Sequence, residues 1–102
     1  MSVLLEFSMF PTDKGESVSV YVSDVIQMIR DSGVDYQVTP MGTVIETESV
    51  SESLALVESA ASLLQSHGCR RVHSVIKLDI RAGMSGRLEQ KIRSVEEKIG
   101  SV

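Results

Sequence analysis

Tyr36-Gln-Val-Thr-Pro-Met-Gly-Thr-Val-Ile-Glu-Thr-Glu48 reads as two strands folded back on each other around Thr39–Thr43. Pro40 and Gly42 are turn formers, while Tyr36, Val38, Val44 and Ile45 favour the pleated conformation. A hairpin in mid-chain with a helical segment on either side divides the sequence into two similar halves. Each half supplies a strand, a helix and a further strand. The hairpin also collects polar side chains, Thr39, Thr43 and Glu46, at a lower charge density than an ordinary surface loop.

Working outward, Val3–Phe10 is a first strand whose alternation places Val3, Leu5, Phe7 and Met9 on one face. Leu4, Glu6, Ser8 and Phe10 fall on the other. Pro11 ends it, and a helix is expected from about Glu16 to Ser32, with Val18, Tyr21, Val22, Val25, Ile26 and Ile29 forming its apolar stripe. Gly33 stands where a left-handed cap belongs. Beyond the hairpin, Ser49 and Glu52 have the spacing of a capping box. The helix they start runs to about Ser66, with Leu54, Val57, Ala61 and Leu64 on one side and Gly68 as its stop.

A long strand from about Arg71 to Ala82 comes next. Val72, Ser74, Ile76, Leu78 and Ile80 share one face; His73, Val75, Lys77, Asp79 and Arg81 share the other. A last helix starts near Ser85, with Leu88, Ile92, Val95 and Ile99 in a narrow stripe suited to a neighbouring surface or a partner helix. The order βαββαβ plus a terminal helix, with right-handed crossovers, gives an α+β ferredoxin-like sandwich. It has a four-stranded antiparallel sheet with two helices on one face. One domain spans residues 1–102, a length sufficient for a core. The open sheet face mixes apolar and polar residues, as a surface that meets a second copy would, so a homo-oligomer is expected.

Composition removes several function classes. Hydrophobic residues make up 42 % of the chain, too many for a disordered segment. No apolar run approaches the roughly 20 residues that span a bilayer, and the acidic start does not fit a signal peptide. One cysteine, Cys69, cannot form an internal disulfide, which makes the cytoplasm the expected compartment. A net charge of −4 and an open face with Phe10 as almost its only aromatic residue argue against nucleic acid.

Particular chemistries fare no better. His67, Cys69 and His73 lack the paired spacing of a zinc site, and no metal or other cofactor is expected. No serine sits in a nucleophile elbow, and no pattern puts a base beside one. The loop Phe10–Gly15 has no arginine with which to cradle a phosphoryl group. Glu6 and Glu46, if buried together, would suit acid–base work, but glutamates on a sheet face more often pair with bases such as Lys77 or Arg81. What remains is a binding site for a small polar molecule, built from Glu6, Glu46, Ser8, Thr39 and Thr43 with Phe10 as an apolar wall.

Three motifs point the same way. Pro40-Met-Gly-Thr-Val-Ile-Glu46, Val20-Tyr-Val-Ser23 and Lys77-Leu-Asp-Ile-Arg81 together resemble the small thiamine-binding, or YkoF-like, proteins over essentially the whole chain. Members commonly carry glycine after the motif's glutamate, where this chain has Thr47. The resemblance implies a ferredoxin-like fold, assembly as dimers or tetramers, and binding of thiamine or its hydroxymethylpyrimidine moiety without a reaction. It directs attention to Thr43 and Glu46 as ligand contacts. An aminopyrimidine presents an amine and ring nitrogens to such groups, with Glu46 as the acceptor for the amine. The expected function is a non-enzymatic cytoplasmic binding protein; the alternative is an assembly module with no ligand.

Overall fold

The computed structural model describes residues 1–100, leaving aside the side chains of residues 90–92. Seven elements follow one another: β1 (Ser2–Pro11), α1 (Ser19–Asp31), β2 (Asp35–Thr39), β3 (Gly42–Thr47), α2 (Val50–Ser66), β4 (Val72–Arg81) and α3 (Arg87–Ile99). The four strands form one sheet in the order β2-β3-β1-β4, every pair antiparallel. This is the ferredoxin-like arrangement expected from the element order.

Alternation in β1 sets the layers. Val3, Leu5, Phe7 and Met9 are buried beneath the helices, where they meet Ile45 of β3, Val25 and Ile29 of α1, and Ala60 and Leu64 of α2. Each fully buried aliphatic side chain contributes about 1.5–3 kcal/mol, which compensates for the poor intrinsic helix propensity of the β-branched residues in α1.

The helix ends follow local chemistry. The Ser49 side chain accepts the Glu52 N–H at 3.1 Å, so α2 opens with the expected cap. It closes with the Gly68 N–H on the Gln65 carbonyl and the Cys69 N–H on the Leu64 carbonyl, a Schellman motif. Gly68 has φ +81°, which a side chain rarely tolerates, and the next residue, Cys69, turns into the core.

Two sequence expectations are corrected, the start of α1 and the place of Leu54. α1 begins at Ser19 rather than Glu16, because the preceding loop is tied to the start of β4. The Thr12 N–H reaches the Arg71 carbonyl at 2.9 Å, and Asp13 accepts the Arg70 N–H at 2.8 Å. Leu54 is exposed, and the buried stripe of α2 is centred on Ser53, Ala60 and Leu64. Ser53 is tolerated there because its hydroxyl pairs with that of Thr47 at 2.7 Å. Ile76, Leu78 and Ile80 lie on the helix-covered side of the sheet yet remain exposed, since α1 and α2 pack mainly over β1 and β3. Of the terminal stripe, Leu88 is half-buried while Val95 and Ile99 face outward. Ile92 lies outside the described side chains.

Candidate functional site

At the tip of the β2–β3 hairpin, pairing between β1 and β3 stops at Phe7 opposite Thr43, whereas β1 stays paired with β4 as far as Pro11. The four residues Ser8–Pro11 therefore run past the end of the hairpin and leave a notch on that side. The notch is floored by β1, flanked by the Val38–Thr43 turn, and roofed by Val18, just before α1, and by Val22 and Ile26 of α1. The resulting groove measures about 430 Å³, within the range of small-molecule sites.

Four of the six sequence-predicted site residues line it: Ser8, Phe10, Thr39 and Thr43. Thr39 is already employed in the turn. Its hydroxyl donates to the Gly42 carbonyl at 2.8 Å and accepts the Met41 and Gly42 N–H groups at 3.2 and 3.1 Å. This fixes the hairpin tip that shapes the groove. Gly42 packs so closely on β1 that a Cβ there would stand 3.0 Å from the Phe7 carbonyl oxygen. Thr43 is buried beside Phe7, Ser8 is half-buried, and Phe10 lies at the margin with its ring 5.4 Å from that of His73.

Glu6 and Glu46 do not join them. Glu6 is exposed and pairs with Lys77 at 3.6 Å, the partnership that its place on the sheet face suggested. Glu46 lies three residues along β3 from Thr43, hence on the opposite face and roughly 10 Å away. There it caps α3, accepting the N–H groups of Arg87 at 3.1 Å and Leu88 at 3.2 Å together with the Ser2 hydroxyl at 2.5 Å. Burial pushes the Glu46 carboxyl upward. The Ser2 hydroxyl, the two backbone N–H groups and the Arg87 charge outweigh that push and hold it below the ordinary value.

Arg87 completes this cluster. Its side chain is 3 % exposed and donates to the Ser2 hydroxyl at 2.9 Å and to the backbone carbonyls of Ser2 and Asp79 at 2.8 and 2.7 Å. It also pairs with the Asp79 carboxylate at 3.2 Å. Nothing local in the sequence distinguishes it from the other bases of the C-terminal third. The α1 valines of the groove were likewise hidden, because they share the helix stripe that forms the core.

The other candidates separate. His67 pairs with Asp24 at 3.3 Å, Cys69 is buried and the His73 ring lies tilted against that of Phe10. Among the described residues no group of three or more His, Cys, Asp or Glu side chains is placed to hold a metal ion. No described helix is long and apolar enough to cross a membrane.

Comparison with known proteins agrees with this architecture. The sequence pattern of the family described as "Thiamine-binding protein" matches residues 5–96. A UPF0045 protein of Mycobacterium bovis is 40 % identical over 96 residues, covering 94 % of this chain and 93 % of that one. The crystal structure of a hypothetical protein from Methanocaldococcus jannaschii superposes with a TM-score of 0.80 at 31 % identity, over 94 % of this chain and 97 % of that one. A candidate thiamine biosynthesis/salvage protein of Thermotoga maritima shares the fold, with a TM-score of 0.80 at 22 % identity over 93 % and 99 % of the two chains. With the family pattern spanning nearly its full length, the chain belongs to the thiamine-binding protein family.

Proposed function

We propose that this protein binds thiamine or a related aminopyrimidine in the groove between α1 and the β2–β3 hairpin, without chemical turnover. One observation carries the reading. The Pro40–Thr43 turn, part of the motif that resembles the thiamine-binding family, forms the side of a largely apolar groove about 430 Å³ in volume. An aromatic ring lies against the valines of α1, and the hydroxyls of Ser8 and Thr43 with nearby backbone groups meet its amine and ring nitrogens. The thiazolium ring points to the mouth beside Phe10, where a cation can face an aromatic ring. Glu46 serves the fold in this arrangement, and the hydroxyls replace it as the groups that recognise the amine.

The family's name and the Thermotoga maritima relative's support a thiamine-related role. Thermal unfolding with excess thiamine, thiamine phosphates and hydroxymethylpyrimidine tests it. A true ligand stabilises by about 2.7 kcal/mol at a hundredfold excess over its dissociation constant. The gain is expected to persist in Glu46→Gln and to shrink in Ser8→Ala and Thr43→Val. No shift with any of the compounds would reject the proposal. The alternative, an assembly module without a ligand, is favoured by a different observation, the exposed apolar surface of β4.

A further inference from the structure

Phe10 joins the groove to a second patch, one that the thiamine reading leaves unused. It lines the groove, and its ring lies 5.4 Å from that of His73, which stands directly opposite it on β4. The ladder continues past the strand ends, because the Thr12 N–H donates to the Arg71 carbonyl at 2.9 Å. Arg71 comes two residues before His73, so alternation sets both on the open sheet face, about 7 Å apart along the chain. This end of the sheet is remote from α3, which is anchored at Ser2.

The bases of this patch are not answered by acids. Asp13, on the facing loop, accepts the Arg70 N–H at 2.8 Å, and that bond, helped by the Arg71 N–H, holds its carboxyl below the ordinary value. The carboxylate is thus turned to the backbone, and Lys14 beside it offsets its charge. The exposed guanidinium groups of Arg70 and Arg71 make no ion pair with any described residue, whereas Lys77, Arg87 and Arg93 each pair with an acid. A planar guanidinium with no internal partner suits the oxygens of a phosphate, which it can meet with two parallel hydrogen bonds.

We propose, on the footing of the thiamine reading, that the preferred ligand is the diphosphate ester of thiamine, with its phosphoryl oxygens held by His73 and Arg71. With the thiazolium ring at the mouth beside Phe10, the hydroxyethyl arm leaves the groove there. The diphosphate that it carries meets His73 first and Arg71 beyond. The imidazole donates an N–H and the guanidinium supplies charge. Arg70 adds to the local positive field. A net charge of −4 disfavours the approach of a free anion, so the patch favours a phosphate tethered to a ring that the groove already holds.

Titration calorimetry with thiamine, thiamine diphosphate, hydroxymethylpyrimidine and inorganic pyrophosphate tests this at low salt. The wild type is expected to bind the diphosphate about tenfold more tightly than thiamine, and pyrophosphate far more weakly than either. Added potassium chloride is expected to shrink the preference, since both arginines are exposed. Arg71→Gln keeps the backbone carbonyl that holds Thr12 and is expected to bring the two affinities close to equality. His73→Phe keeps a ring against Phe10, removes the N–H, and is expected to reduce the preference about threefold. Arg81→Gln, ten residues further along the same face, is the control and should leave it unchanged. Binding of thiamine or hydroxymethylpyrimidine with no gain for the diphosphate would overturn the inference and spare the thiamine reading. No binding of any of the three would overturn both. The inference also falls if the preference survives Arg71→Gln, if salt leaves it unchanged, or if pyrophosphate alone binds as tightly as the diphosphate. The last result would reveal an anion site unconnected with the groove.

Discussion

The two ends of β3 invite comparison. At one end Glu46 holds Ser2, Arg87 and the first turn of α3 in a closed set of hydrogen bonds. At the other end the Thr39–Thr43 turn borders a groove whose lining is largely apolar; the Thr39 hydroxyl is spent within the turn, and Ser8 and Thr43 are the other polar residues of the lining. Both ends are rich in polar residues and both fall within one family motif. The difference is whether the polar groups answer one another. A satisfied cluster builds the fold, whereas an open one is free to take a ligand.

Arg87→Ala is the harshest way to break the closed end. It leaves the Ser2 and Asp79 carbonyls and the Asp79 carboxylate without this donor and opens a cavity. A loss of about 3 kcal/mol is expected by analogy with other broken buried pairs, reduced because Asp79 is partly solvated. Chemical denaturation measures it, and a loss below the uncertainty of the extrapolation would show that α3 is not anchored here. Ligand-induced stabilisation, measured as a difference, should survive.

Glu46→Gln is milder, about 1–2 kcal/mol, because the amide oxygen can still cap one N–H group. The pH dependence sharpens the test. The folded carboxyl lies below its ordinary value of 4.5, so its stabilisation is complete above that value and is lost as the pH falls through the folded value. Wild-type stability should therefore fall more steeply on acidification below about pH 4.5 than that of Glu46→Gln. Parallel curves would mean that the carboxylate charge does not contribute.

How much of this was legible beforehand depends on the range of the interaction. The strands and helices showed in alternation and stripes, which are local. So were the Ser49 cap and the Gly68 stop. Arg87 was not, because its partner Ser2 stands 85 residues away and no spacing rule connects them. Ser53 was hidden too, since a serine in a helix looks solvent-facing until the Thr47 hydroxyl appears beside it. The placement of Thr43 and Glu46 on opposite faces was readable, because an odd separation along a strand always does this. The family motif drew them together in the sequence analysis, and the pleat separates them.

At the open end, Thr43→Val removes a hydroxyl and keeps the shape, so stability should change by less than about 1 kcal/mol. Ligand affinity should fall up to about tenfold, the worth of one hydrogen bond. Titration calorimetry with the compound that stabilises the wild type reads this directly. An unchanged affinity would move the recognition away from Thr43.

The smallest effect separates shape from chemistry at the groove's lip. Met41 is 88 % accessible, touches the groove and belongs to no core cluster, so Met41→Ala should alter stability by no more than about 0.5 kcal/mol. Its long, unbranched side chain can nevertheless fold over a bound ring, and truncation would then speed ligand release. Stopped-flow measurements are expected to show a faster off-rate with the on-rate nearly unchanged. If both rates stay at wild-type values, the hairpin tip contributes only its backbone. The site then reduces to the rigid notch that the Thr39 hydroxyl and Gly42 hold against β1.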